Sequence, residues 1–409
     1  MEFFHLFSIL IVLSAVFAYI NFKYLKLPNA IGLMLVSLIF SLGILSLRNF
    51  FPEMKIRIAN QLSSINFSEL LLEGMLSFML FAGAIHIKYA DLKSEKLSIM
   101  LFSTISVVLS TVIIGYASFY LLNGFGLEVD LVNSMLFGAL ISPTDPIAVL
   151  SILKSAGVSK SLETKIAGES LFNDGVAVVV FITILQLSKP EVDTSFLSVI
   201  TLFGQEAVGG IILGLGIGWL GYRLVASIDN YQVEVLITLA VVMGGYTLAH
   251  YIHVSGPLAM VVAGLITGNH GKTYGMSDTT AEYVDKFWEL MDEILNAILF
   301  VLIGLELLII ETNKTFFIVS FILIGIILIT RYISVYIPSI FIRLKEKMTR
   351  HTLIILTWGG LRGGISIALA LSIPVNLNRD IWVTITYVVV CFSILIQGMT
   401  IGKVAKNSD

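Results

Sequence analysis

Charge is scarce in this 409-residue chain: only 13% of its residues are Asp, Glu, Lys or Arg, against about 25% in an ordinary soluble domain. Cysteine is scarcer still. One residue, Cys391, excludes an intrachain disulfide framework and a cysteine-built metal site. There is no P-loop, no His/Cys cluster at metal-ligand spacing and no long basic run, so nucleotide hydrolysis, metal-dependent enzymology and nucleic-acid binding all lack a foundation. Only Glu2 precedes the first apolar run, where a secretory signal would carry basic residues. Met1 to Tyr19 therefore reads as a spanning helix. Eight residues follow Ile401, and no cytosolic domain is expected.

What is abundant is apolar: 57% of the residues, with a mean hydropathy of +0.94. Runs close to the roughly 20 residues that cross a bilayer fall at 3–21, 27–46, 67–87, 97–122, 131–153, 165–187, 196–224, 234–253, 256–269, 287–310, 315–341, 352–372 and 381–402. The expected fold is all-α and polytopic, with thirteen transmembrane segments. Lysine and arginine collect on the cytoplasmic side of membrane proteins. Seventeen of the 25 cations lie in the loops after odd-numbered segments and in the C-terminal tail, six lie on the other side, and Arg331 and Arg362 lie within segments. That asymmetry puts the N-terminus outside and the C-terminus in the cytoplasm.

Two segments carry their own interruptions. In the fifth, Ser142-Pro143-Thr144-Asp145-Pro146 removes two backbone donors and pushes Asp145 out of the helical region. In the twelfth, Trp358-Gly359-Gly360-Leu361-Arg362-Gly363-Gly364 places four glycines around one arginine. The offset of seven segments reverses membrane orientation, which is the pattern of an inverted-repeat transporter whose half-helices meet at the midplane. Glycines alone would also suit close helix packing, but packing needs no guanidinium.

Three carboxylates, Asp145, Glu169 and Asp174, stand inside these apolar segments, where a charge costs about 2.5–3.5 kcal/mol on insertion scales. They mark an ion pathway. Glu169 and Asn173 share one face of the sixth segment, and Ser170 and Asp174 share another. The second face offers hard oxygen ligands to a small alkali cation; the first offers a carboxylate for a fixed counter-ion, with Arg362 the expected partner. Arg331, with Glu306 as its alternative partner, competes for that role. A carboxylate that accepts either a proton or a cation, but not both, couples the two. Asp145 has two readings, as a ligand or as the partner of a half-helix N-terminus. Thr144 likewise either coordinates or caps.

Thr144-Asp145-Pro146, Gly168-Glu169-Ser170-Leu171-Phe172-Asn173-Asp174-Gly175, Ser255-Gly256-Pro257-Leu258-Ala259, Phe300 to Glu306, Gly359 to Gly363 and Gln397-Gly398-Met399-Thr400 together resemble the sodium/proton antiporters of the monovalent cation:proton antiporter superfamily, in the bacterial NhaP-type branch. The resemblance implies an electroneutral exchange of Na⁺ or Li⁺ for H⁺ by alternating access, with K⁺/H⁺ antiport or a cation channel as the alternatives. It implies Asp174 as ion and proton carrier, Thr144, Asp145 and Ser170 as the surrounding Na⁺ ligands, Asn173 holding the unwound strand, and Glu169 paired with Arg362. It also implies a homodimer in the bacterial inner membrane, with a core bundle at about 67–187 and 287–402 moving against a dimerisation bundle at about 1–66 and 196–269. One departure is plain. The third segment reads Leu80-Phe81-Ala82-Gly83-Ala84 where many relatives carry a glutamate, and Glu73, two turns earlier, is a weaker ligand candidate.

Overall fold

A computed structural model describes residues 2–46, 70–189, 195–310, 313–342 and 348–406. Arg48, Lys55, Arg57, Arg343, Lys345 and Lys347, counted above among the loop charges, and the side chain of Glu73 lie outside the described residues. The chain is helical: α1 (Glu2–Ile20), α2 (Asn29–Ser46), α3 (Leu76–Ile85), α4 (Tyr89–Gly124), α5 (Leu131–Ile141), α6 (Ile147–Ala156), α7 (Lys160–Leu187), α8 (Phe196–Val225), α9 (Tyr231–Tyr251), α10 (Gly256–Ile266), α11 (Asp278–Glu306), α12 (Lys314–Ile342), α13 (Arg350–Trp358), α14 (Gly364–Ser372), α15 (Arg379–Phe392) and α16 (Gly398–Lys406). Within the described residues the apolar segments read from the sequence are largely helical, the fifth and the twelfth each divided between two helices. Among the described residues, eight helical stretches are long and apolar enough to cross a membrane. The chain is a multi-pass membrane protein.

Helix starts follow local chemistry. Ser159, Ser255, Ser277 and Thr349 each accept a backbone N–H three residues on, at the heads of α7, α10, α11 and α13, satisfying donors that the first turn leaves free. The Ser277 cap starts α11 at Asp278, nine residues ahead of the apolar run at 287. The early turns of α11 are polar on one side, so helix continues where hydrophobicity alone suggests a loop.

Packing sorts the helices into two groups. α4 lies against α5, α7 and α12; α12 packs on α13 and α15, α14 on α15, and α16 on α6. The other group joins α1 with α2, α11 with α2 and α3, and α10 with α3, α8 and α9. Here glycines let backbones approach, as small residues do between membrane helices: Gly214 and Gly218 of α8 lie against the backbone of α10 at Ala259 and Ala263. At one end of this group Lys272 donates to the Ile85 carbonyl (2.9 Å) and pairs with Asp285, whose Oδ1 also lies 3.3 Å from His86 Nδ1.

Candidate functional site: two broken helices crossing beside α7

The interruptions behave as their sequences dictate. α5 stops at Ile141 and α6 begins at Ile147; α13 stops at Trp358 and α14 begins at Gly364. The two unwound strands meet as an isolated antiparallel bridge between Asp145 and Leu361, and the Asp145 N–H donates 2.8 Å to the Leu361 carbonyl. Such backbone is tolerated at membrane depth only where protein or a cavity satisfies it. A side chain at Gly363 would run into the Asp145 carboxylate, so this approach requires glycine.

Each break exposes the carbonyls at the end of a half-helix, and each is met by a buried arginine. Arg362 Nη1 donates to the carbonyls of Ser142 and Pro143, the latter at 2.9 Å. Arg331 donates from Nε and Nη2 to the Leu356 carbonyl at 3.4 and 3.2 Å. Cations belong at helix C-termini, where the dipole is negative. Arg331 also carries the ion pair: its Nη1 lies 2.6 Å from Glu169 Oε1, with both side chains almost fully buried. The expected pairing of Glu169 with Arg362 is therefore corrected. Arg362 is occupied by freed carbonyls, which the sequence reading did not count, and the competitor Arg331 holds the carboxylate. Glu306 is buried at the C-terminal end of α11 and takes no part in this pair.

Two further polar groups of the twelfth-segment break are held from the turn between α15 and α16. The Arg362 N–H donates 2.9 Å to Ser393 Oγ, which donates 2.7 Å to Gln397 Oε1, and Gln397 Nε2 donates 3.0 Å to the Trp358 carbonyl. Neither Ser393 nor a role for Gln397 was read from the sequence. Both sit in a π-helical turn, Ser393–Gln397, of the kind that often accompanies functional sites.

On α7, Asn173 and Ser170, which spacing puts on different faces, both reach Thr144. Asn173 grips the strand at both ends of its amide: Nδ2 donates 2.8 Å to Thr144 Oγ1, and Oδ1 accepts from the Thr144 N–H at 3.4 Å. Ser170 Oγ donates to the Thr144 carbonyl. Asp145 Oδ1 accepts the N–H of Ile147, the first residue of α6, at 2.9 Å, which gives its dipole-partner reading a geometric basis.

Thr144, Asp145, Ser170 and Asp174 all line one cavity of about 480 Å³ between α3, the crossing, α7 and α11. Asp174 faces it with no hydrogen bond or ion pair to protein among the described residues, in contrast to the other two carboxylates. Oxygen-bearing side chains thus line one cavity around a carboxylate that has no protein partner among the described residues.

The sequence matches the profile of the family described as "Sodium/hydrogen exchanger, transmembrane" over residues 11–407. The chain belongs to that family; it is a transporter and not an enzyme. It is 47% identical over 403 residues to the Na⁺/H⁺ antiporter NhaP of Pseudomonas aeruginosa, covering 97% of this chain and 95% of that one. Identity to the Na⁺/H⁺ antiporter NhaH of Halobacillus aidingensis is 36% over 390 residues, covering 94% and 93%. The fold superposes on the sodium proton antiporter MjNhaP1 of Methanocaldococcus jannaschii with a TM-score of 0.76 at 22% identity, covering 99% of both chains.

Proposed function

We propose that this protein exchanges Na⁺ or Li⁺ for H⁺, one for one, by competition of the two ions for the Asp174 carboxylate. The observation that carries the reading is that carboxylate, facing a cavity beside Thr144, Asp145 and Ser170 without a partner among the described residues. Its neighbours supply the charge logic. At the crossing stand two guanidiniums, Arg331 and Arg362, and three carboxylates, Asp145, Glu169 and Asp174. With all ionised, the cluster carries one net negative charge, which one proton or one monovalent cation neutralises. A proton removes the charge that holds the cation, and a cation disfavours protonation. Each ligand therefore expels the other, and a cluster that crosses the membrane neutral in both loaded forms gives electroneutral exchange.

The moving parts follow the packing. One bundle contains α4–α7 and α12–α16, carrying the crossing; the other contains α1–α3 and α8–α11. This division differs from the core bundle drawn from the sequence in its third and tenth segments, because α3 packs with α10 and α11 packs with α2 and α3. The first bundle shifts against the second and exposes Asp174 to alternate sides. The loop-charge asymmetry supports a cytoplasmic C-terminus, and family kinship supports a homodimer in the bacterial inner membrane.

Proteoliposomes loaded with a pH-sensitive dye test the reading. With membrane voltage clamped, an imposed Na⁺ gradient moves protons in the unmodified protein and not in Asp174→Asn. A purely voltage-driven cation current, insensitive to the pH gradient, identifies a channel and overturns the proposal.

A further inference from the structure

The cavity at Asp174 does not end at the crossing. It shares His86, Ile147, Lys154 and Asp292 with a wider cavity of about 890 Å³ bounded by α1, the start of α2, α6 and α11. Three acids of α11, Glu289, Asp292 and Glu293, line the wider cavity, and of these only Asp292 also lines the inner one. Asp292 stands at the junction of the two.

A row of acids is not in itself a site, but here two neutral oxygens accompany it. Asn296 lies one turn beyond Asp292 on the same side of α11. Its Nδ2 donates 2.8 Å to the Asp292 main-chain carbonyl. A carbonyl only accepts, so this bond fixes which end of the amide is which. The free end is Oδ1. That oxygen is buried, in a residue only 6% exposed, and has no partner among the described residues. Ser14 of α1, 5% exposed, has an Oγ in the same condition. Both residues line the wider cavity. Buried polar atoms are rarely left unmet in folded proteins, and these two belong to residues that line one cavity together with Asp292.

We propose that Asp292, Asn296 Oδ1 and Ser14 Oγ form a second, weaker site for a monovalent cation, an antechamber from which the ion passes to Asp174. The donor set is all oxygen, which suits hard cations. Asp292 is the one of the three acids that also lines the inner cavity, and Lys154 on the shared walls opposes a divalent ion there. The assignment rests on the antiport reading for its purpose, though not for its occupancy.

Equilibrium binding of radioactive ²²Na⁺ to purified protein separates the two. Asp174→Asn removes the transport site, and the inference predicts residual, saturable binding of about one ion per chain, weaker than in the unmodified protein. Adding Asp292→Asn to that background lowers the remaining affinity by about tenfold or more, and adding Asn296→Leu lowers it by about threefold. In otherwise unmodified protein, Asp292→Asn raises the apparent KM for Na⁺ about fivefold while kcat stays within about twofold, the signature of lost ground-state binding. Absence of residual binding in Asp174→Asn, or residual binding indifferent to both α11 substitutions, overturns the antechamber. Asn296→Leu keeps the test open should Asp292→Asn fold poorly. Loss of Na⁺-driven proton movement in the unmodified protein would instead count against the antiport reading, with the binding result still reporting on the antechamber.

Discussion

Glu169 and Asp174 lie less than two turns apart on α7, yet they live in opposite circumstances. Glu169 is 2% exposed and clamped by the Arg331 guanidinium at 2.6 Å. Asp174, on the adjoining face, looks into a cavity and has no ion pair with any cation among the described residues. The two carboxylates differ in what the neighbouring helices place opposite them. A buried acid with a fixed counter-ion is committed to structure; one without it is available to a mobile ion. The separation is built by periodicity, since residues four apart share a face and residues five apart do not.

That contrast can be broken from either side. The largest functional effect is expected at the free acid: Asp174→Asn reduces Na⁺-driven proton movement to background. Its thermal midpoint stays equal or rises, because the change removes a charge with no protein partner; a fall of many degrees would mean that Asp174 holds the fold together. The largest structural effect is expected at the clamp. Arg331→Ala leaves Glu169 buried and unpaired and the Leu356 carbonyl unmet, at a cost of about 3–5 kcal/mol, read as lost folded yield and a lowered midpoint in detergent. Combining Arg331→Met with Glu169→Gln should recover much of that stability, since an ion pair removed whole costs far less than one cut in half.

Smaller effects sharpen the arginine assignment. Arg362→Lys replaces the planar guanidinium, whose Nη1 alone makes both contacts to Ser142 and Pro143, with a more strongly hydrated ammonium on a differently shaped stem, and should weaken those contacts by about 1–2 kcal/mol. The midpoint should fall by less than in Arg331→Ala; a larger fall would return Arg362 to the role of Glu169's partner. Ser393→Ala removes the acceptor of the Arg362 N–H and should cost about 0.5–1.5 kcal/mol, with exchange slowed but the dependence on Na⁺ concentration unchanged.

Much of this arrangement was legible in the residue order. Prolines 143 and 146 and the glycines around Arg362 announce breaks because they remove donors and loosen the backbone, and helical spacing alone divided α7 into two faces. The arginine pairing was not legible, because charges were matched only with charges. Each break also frees a half-helix of its carbonyl partners, and that demand is invisible until the ends of α5 and α13 are known. Counting those carbonyls would have asked for two guanidiniums rather than one. Asp292 escaped notice although the reasoning that singled out Asp174, an acid inside an apolar run, applies to it as well. The bundle boundary escaped for a different reason: which helices pack together depends on contacts distant in sequence, as between α3 and α10, and periodicity carries no record of those.

The central claim is that a proton and a cation contend for one carboxylate. The most direct test is the rate of Na⁺-driven proton movement in voltage-clamped proteoliposomes, measured against Na⁺ concentration across a series of pH values. Competition at Asp174 predicts that acidification raises the apparent KM for Na⁺, approaching about tenfold per pH unit where the carboxyl is mostly protonated, while the rate at saturating Na⁺ holds steady. A KM indifferent to pH, with the saturating rate falling instead, would contradict it.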